Sequence, residues 1–182
     1  MRRSVMMLVA GLLLLAAAPT PARTAWVAVK DTHGGHETCL QSGGSRHTYR
    51  AVTSADEVAC RVAGPRRLKI VSRYLFDHAD GDRVRYTLTV RVDDQEVLRK
   101  VFTGKPHSDA SRCQGQGRVG SLRRAYIDLP AGAHDVQIGV ETEGKGQMAL
   151  RVFRQVKRKR DRWMVKAPEG FGSMRELEFA SG

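Results

Sequence analysis

The chain has 182 residues, 31 lysines and arginines against 19 acids, a formal charge of +12 and a hydrophobic fraction of 41%. That length leaves room for one ordinary domain with a sizeable core, and the positive balance points to polyanionic partners: nucleic acid, anionic lipid headgroups or acidic glycans. No stretch reaches the ~20 apolar residues of a membrane-spanning helix, and three cysteines cannot all pair within one chain.

In chain order, residues 1–22, "MRRSVMMLVAGLLLLAAAPTPA", come first. Arg2 and Arg3, an apolar run and then small residues with prolines make the three-part layout of a secretory signal peptide. Cleavage is expected after Ala22. The mature protein then carries a charge of about +10 and is expected in the periplasm or outside the cell, where disulfides persist.

The dominant period after the leader is two, which predicts strands with one face on a core and one in water. Strands are expected near 25–29, 46–52, 57–63, 67–77, 83–93, 96–103, 119–129, 133–142 and 147–156. "RVRYTLTVRV" is the cleanest, with Val84, Tyr86, Leu88, Val90 and Val92 on one side. "RLKIVSRYLF" alternates more loosely, with Ser72 among Leu68, Ile70, Tyr74 and Phe76. "HADGD" (His78 to Asp82), "VDDQ" (Val92 to Gln95) and "PAGAH" (Pro130 to His134) read as tight reversals, and "TGKPHSDASRCQGQG" (Thr103 to Gly117) as a polar loop. Short strands at this spacing, with no sustained helical period, predict an all-β antiparallel sandwich over residues 23–156. Residues 157–182 form a basic C-terminal extension whose two short alternating pieces suit an edge hairpin.

The cysteines follow from this layout. Cys60 alternates with Val58 and Val62, so it should point inward as a small hydrophobe. Cys39 and Cys113 lie in polar segments expected to be loops, where a lone thiol would be reactive. The expected disulfide is therefore Cys39 with Cys113, with Cys39 to Cys60 as the alternative.

Several motifs offer chemistry. "HGGHETC" places His33, His36 and Cys39 at a spacing that zinc or copper could use, but it supplies no fourth ligand and needs a thiol that escapes oxidation, so no metal is assigned. "DHADGD" gathers Asp77, Asp80 and Asp82, oxygen ligands of the kind calcium takes; a solvated hairpin turn is the preferred reading. "GQGRVG" (Gly115 to Gly120) has the spacing of a dinucleotide-binding turn but lacks a preceding strand and a following helix. His134 opens a strand and suits a turn-capping or surface role. No nucleophile elbow or zinc-protease helix occurs, so the chain reads as non-enzymatic, with no cofactor. The most distinctive feature is "KRKRDRW". Lys157, Arg158, Lys159, Arg160 and Arg162 build a strong positive potential beside Trp163, suited to phosphate or sulfate groups through a salt-sensitive term.

At "YTLTVRVDDQEVLRKVFTG" and "AYIDLPAGAHDVQIGVETEGKGQMALRVFR" the order of features resembles carbohydrate-binding jelly rolls with a galactose-binding-like fold. In that group a similar "L-P-A-G-x-H" turn precedes the penultimate core strands. The resemblance spans Arg67 to Arg154 and implies a jelly-roll sandwich and a glycan partner. Sugar recognition in such modules relies on aromatic faces, whereas both tryptophans here, Trp26 and Trp163, lie outside the matching region, so it speaks more for the sandwich than for the sugar. The expected function is an exported β-sandwich module that binds lipopolysaccharide, an anionic glycan or another polyanion through its basic face. The alternative is an assembly module docking on a protein partner of the cell envelope.

Overall fold

The structure, a computed structural model, describes residues 24–115 and 117–157. The leader, Arg158 to Trp163 and the remainder of the C-terminal extension lie outside the described residues. Ten strands run antiparallel: β1 Thr24–Ala28, β2 Thr32–His33, β3 His36–Ser42, β4 Ser45–Val52, β5 Glu57–Leu75, β6 Val84–Val92, β7 Gln95–Gly104, β8 Ala110–Arg112, β9 Arg123–Thr142 and β10 Gln147–Lys157. No helix occurs among the described residues, so none is long and apolar enough to cross a membrane.

The hydrogen-bonded order is β7-β6-β9-β5-β10-β4-β3-β8, with β1 on β10 and β2 on β5. This single sheet folds into two layers because β5 and β9 belong to both. The first layer contains β7, β6, the C-terminal half of β9, the N-terminal half of β5, and β2. The second contains the other halves of β9 and β5, then β10 with β1 and β4, β3 and β8.

Here the structure corrects the sequence reading. Segments 57–63 and 67–77 merge into one strand that ends at Leu75, segments 119–129 and 133–142 merge into one that begins only at Arg123, and "PAGAH" is not a reversal. Gly64 faces Gly132, and the register shifts before Arg66 meets Leu129. Pro130 and Ala131 therefore oppose Pro65 alone, a bulge that bends both strands from one layer into the other. Proline supplies no N–H to the ladder, so both prolines sit where the ladder is already interrupted. Glycine, proline and alanine here signal a bend rather than a turn. A β-carbon on Gly64 would collide with the Pro130 carbonyl oxygen.

The main core lies between the layers. From the first come Val58, Val62, Tyr86, Leu88, Val90, Val136, Ile138 and Val140; from the second come Leu68, Ile70, Ile127, Leu129, Leu150 and Val152, all buried. Ser72, the polar member of the "RLKIVSRYLF" face, is satisfied across the gap by the Tyr86 hydroxyl at 3.0 Å. The rings of Tyr74 and Tyr86 stack at 6.3 Å. Cys60 is a free thiol in this core, and burial pushes its pKa up to about 11, which leaves it an inert apolar side chain.

From Ile70 to Leu75 every residue of β5 is buried, so alternation fails there because both faces are covered. The second cover is the stretch expected to be a polar loop. It contains β8, and its Ala110, with Val119 from the start of the segment expected as strand 119–129, packs with Leu40, Tyr49, Ala51, Val71, Leu75 and Ala149 in a second cluster on the outer face. Polar contacts fix it. Gly120 N–H donates to the Tyr74 carbonyl at 2.7 Å, and the buried Arg73 guanidinium donates to the Gly120 carbonyl at 3.0 Å and to Ser42 Oγ at 3.2 Å. Cys39, expected in a loop, lies on β3 and is bonded to Cys113, 74 positions away.

Two outcomes are expected. Gly64→Ala should destabilise the protein by about 1–3 kcal/mol through overpacking at the bend, read from chemical unfolding. Replacing Cys39 and Cys113 together by alanine should cost about 4 kcal/mol through the lost loop-closure restraint and lower the melting temperature by roughly 10 °C, whereas Cys60→Ala should leave the disulfide intact.

Candidate functional site

Among the described residues, the outer face of the second layer is covered at one end only. Towards the bend it carries an interleaved set of rings and cations. Lys69 on β5 has Tyr126 of β9 and Phe153 of β10 as its cross-strand neighbours, and β1 adds Trp26 opposite Gln155. The Lys69 ammonium stands 4.7 Å from the Trp26 ring centre and 4.4 Å from that of Phe153. The Arg67 guanidinium lies 5.0 Å from Tyr126, and that of Arg151 4.8 Å from Phe153. Trp26 and Tyr126 meet at 5.9 Å with a tilt of 52°. Tyr126 is 42% exposed, so the array is open to solvent.

Each cation over a ring gains from the ring quadrupole and is held in place by it. Partial burial, then the like charges of Arg124 and Arg151, push the Lys69 pKa below its usual range. Asp128 on this face lies 3.6 Å from Arg67 in an exposed pair of small energetic weight. At the bend the face runs into a groove of about 500 Å³ lined by Thr24, Pro65, Arg66, Arg67, Gln155, Val156 and Lys157. Lys157, the first residue of the basic run expected to bind polyanions, ends β10 and lines this groove. Arg158, Lys159, Arg160, Arg162 and Trp163 themselves fall outside the described residues.

Sequence reasoning missed this array, although a signal existed. Tyr126 stands between the core residues Ala125 and Ile127, and Phe153 follows Val152, so both occupy positions where alternation calls for polar side chains. What the sequence did not carry was the pairing that sets Trp26 beside them.

The other candidates resolve differently. The Cys39 sulfur is in a disulfide, which removes the thiolate from the His33, His36 and Cys39 set. Among the described residues no group of three or more His, Cys, Asp or Glu side chains is arranged to hold a metal ion. Asp80 is committed to structure: it accepts from the Tyr74 hydroxyl at 3.0 Å, Asp77 N–H at 2.8 Å and Lys145 N–H at 2.9 Å. Burial raises its pKa, but these bonds outweigh burial and hold it below the usual range. Gly120 of "GQGRVG" bonds β5, and strand β9 follows the segment.

His134 is buried rather than a surface residue. Its Nδ1 lies 2.6 Å from Asp93 in the β6–β7 turn, where Asp93 and Asp94 both adopt left-handed φ values of 50° and 66°. Asp93 also accepts from Asp135 N–H at 3.0 Å. This pair ties the hairpin to β9 just beyond the bend.

Fold and face together define an antiparallel β-sandwich with an aromatic and cationic outer surface. No protein-family model matches the sequence, and no curated protein matches it. Solved structures similar to it include the Agl-KA catalytic domain, at 13% identity and a TM-score of 0.44, over 75% of this chain and 28% of that one. A family 36 carbohydrate-binding module in complex with calcium and xylotriose is similar at 12% identity and a TM-score of 0.41, over 72% of this chain and 99% of the module. A family 35 carbohydrate-binding module from Clostridium thermocellum is similar at 10% identity and a TM-score of 0.40, over 72% and 98%. At these scores the likeness defines no ligand, and the functional reading rests on this chain's own residues.

The His134–Asp93 pair makes stability depend on pH. The hydrogen bond to Asp93 raises the His134 pKa above 6.5, so its contribution is complete below that value and is lost as pH climbs through the folded-state pKa. The bond from His134, with that from Asp135 N–H, lowers Asp93 below 3.8, so its contribution is present above that value and lost on acidification through the folded-state pKa. The pair should therefore stabilise most between about pH 4 and 6.5. Melting temperatures of the native protein should fall from pH 6 to 8, and His134→Gln should flatten that limb.

Proposed function

We propose that this protein is an exported, non-catalytic module that binds an anionic glycan or another envelope polyanion, lipopolysaccharide included, through the outer face of its second layer. The observation that carries the reading is the array of Trp26, Tyr126 and Phe153 interleaved with Arg67, Lys69 and Arg151 on an open sheet face. Cations seated on rings are organised before a ligand arrives, so less side-chain entropy is lost on binding than with free lysines. Exposed ring surface adds stacking area for a sugar. The sequence run Lys157, Arg158, Lys159, Arg160 and Arg162, with Trp163, would add a salt-dependent attraction to phosphate or sulfate groups. The leader-like N-terminus, together with the disulfide, supports a periplasmic or extracellular location.

A second reading, docking on a protein partner, is favoured by β7. It is an edge strand, and its Val97 and Val101 are 51% and 55% exposed. An exposed edge of this kind offers unpaired backbone groups to another strand. Salt-insensitive co-purification of one partner, abolished by Val97→Lys with Val101→Lys, would favour this reading.

The test of the first reading is retention on heparin and on immobilised lipopolysaccharide across a salt gradient. Retention should fall steeply with salt. Neutralising the five cations between Lys157 and Arg162 should weaken binding on the order of a hundredfold, at about 1 kcal/mol or less per charge. Trp26→Ala with Tyr126→Ala should weaken it further at constant charge. Retention unchanged by both variants would overturn the reading.

A further inference from the structure

On the side away from β5, β10 has two neighbours: β4 along Met148 to Leu150, and β1 along Phe153 to Lys157. Between them, at Arg151 and Val152, neither strand is paired with β10, and Val29 N–H donates to the Val152 carbonyl at 2.9 Å. A slot of about 240 Å³ opens there. It is smaller than the ~300–1,000 Å³ of pockets that enclose drug-sized ligands, and suits one sugar unit or its substituent. Val58, Leu150 and Val152 contribute apolar wall, and Lys30, Arg50 and Arg151 bring positive charge.

We infer that this slot is an oxyanion subsite, taking the carboxylate or sulfate ester of an acidic sugar whose chain lies along the aromatic face. The inference rests on the glycan-binding reading of that face and adds the chemical class of its ligand. Three observations support it. The three cations meet a single lining acid, Glu37, which leaves the slot positive. Lys30, Arg50, Arg151 and Glu37 take part in none of the ion pairs among the described residues, whereas Arg61, Arg67, Arg91, Arg99 and Arg118 all do. Finally, Arg151 belongs to both sites: it lines the slot and lies over Phe153 of the aromatic face.

The chemistry fits an oxyanion. Arg50 donates one Nη2 hydrogen bond to the Thr32 carbonyl at 2.8 Å, which orients a guanidinium that retains donors for a second acceptor. Walls of low polarity strengthen the field of Lys30 and Arg50, while the Arg151 guanidinium lies over Phe153 at the junction with the aromatic face.

Titration calorimetry with an oligogalacturonide, its carboxyl-reduced counterpart and a sulfated form of that counterpart tests the assignment. The native protein should bind at least one charged oligomer about tenfold more tightly than the reduced one. Lys30→Met should weaken only the charged oligomer, by about fivefold, and Glu37→Gln should tighten it, an opposite change that misfolding does not produce. The preferred charged oligomer identifies the oxyanion as carboxylate or sulfate. Equal binding of all three oligomers, or charged binding unmoved by both variants, would overturn the subsite. The glycan reading would then still stand if Trp26→Ala with Tyr126→Ala weakened all three ligands. If no oligomer binds the native protein, the subsite falls, and the glycan reading is decided by retention on heparin and lipopolysaccharide.

Discussion

The architecture depends on the close approach of two backbones at Gly64 and Pro130. β5 and β9 pair along nearly their whole length, and a sheet so long would twist away from itself if it stayed flat. The bulge at Pro130 and Ala131 lets both strands bend together, so their N- and C-terminal halves face each other across one core. Only a residue without a β-carbon fits at Gly64, because the Pro130 carbonyl occupies the space a side chain would take. The Ser72 to Tyr86 hydrogen bond and the Tyr74 to Tyr86 stack exist because the bend has brought strands distant in the sheet into register across the gap.

The second layer then has an inner face committed to that core and an outer face that must be dealt with separately. One end of the outer face is closed by the connection carrying β8, held by the Cys39–Cys113 bond and by Arg73 reaching the Gly120 carbonyl. The other end has no such cover among the described residues and is furnished with rings alternating with cations. Phe153 joins the two regions, since it packs at the margin of the covered cluster while two cations lie over its ring. Covering one end rigidly fixes the strands on which the open end is built, which connects the stability of the closed cluster to the geometry of the exposed array.

The positive charges of the described residues are partnered in two different ways. Many arginines of the first layer and its turns are matched by local acids, as in Arg61 with Asp135, Arg91 with Glu57 and Arg99 with Glu141. On the outer face of the second layer, Lys69 and Arg151 are matched instead by aromatic rings, which attract a cation without neutralising it. Lys69 and Arg151 therefore keep their charge on that face while their positions are held by the rings beneath them.

What the sequence determined by itself was the strand class and the inward-facing residues: the period of two in Val84 to Val92 or Val136 to Val140 dictates which side chains leave water, whatever the strands pair with. It also singled out Cys60 as apolar in character and the run from Lys157 as a concentrated charge. Only the tertiary structure decided that "GP" and "PAG" mark a bend, that "TGKPHSDASRCQGQG" closes a second apolar cluster, and that Trp26, Lys69, Tyr126 and Phe153 form one face. The physical reason is that alternation records the environment of each residue but not the identity of its neighbour. Strand pairing joins positions such as Trp26 and Gln155, more than a hundred residues apart, through backbone hydrogen bonds that leave no mark on local side-chain choice.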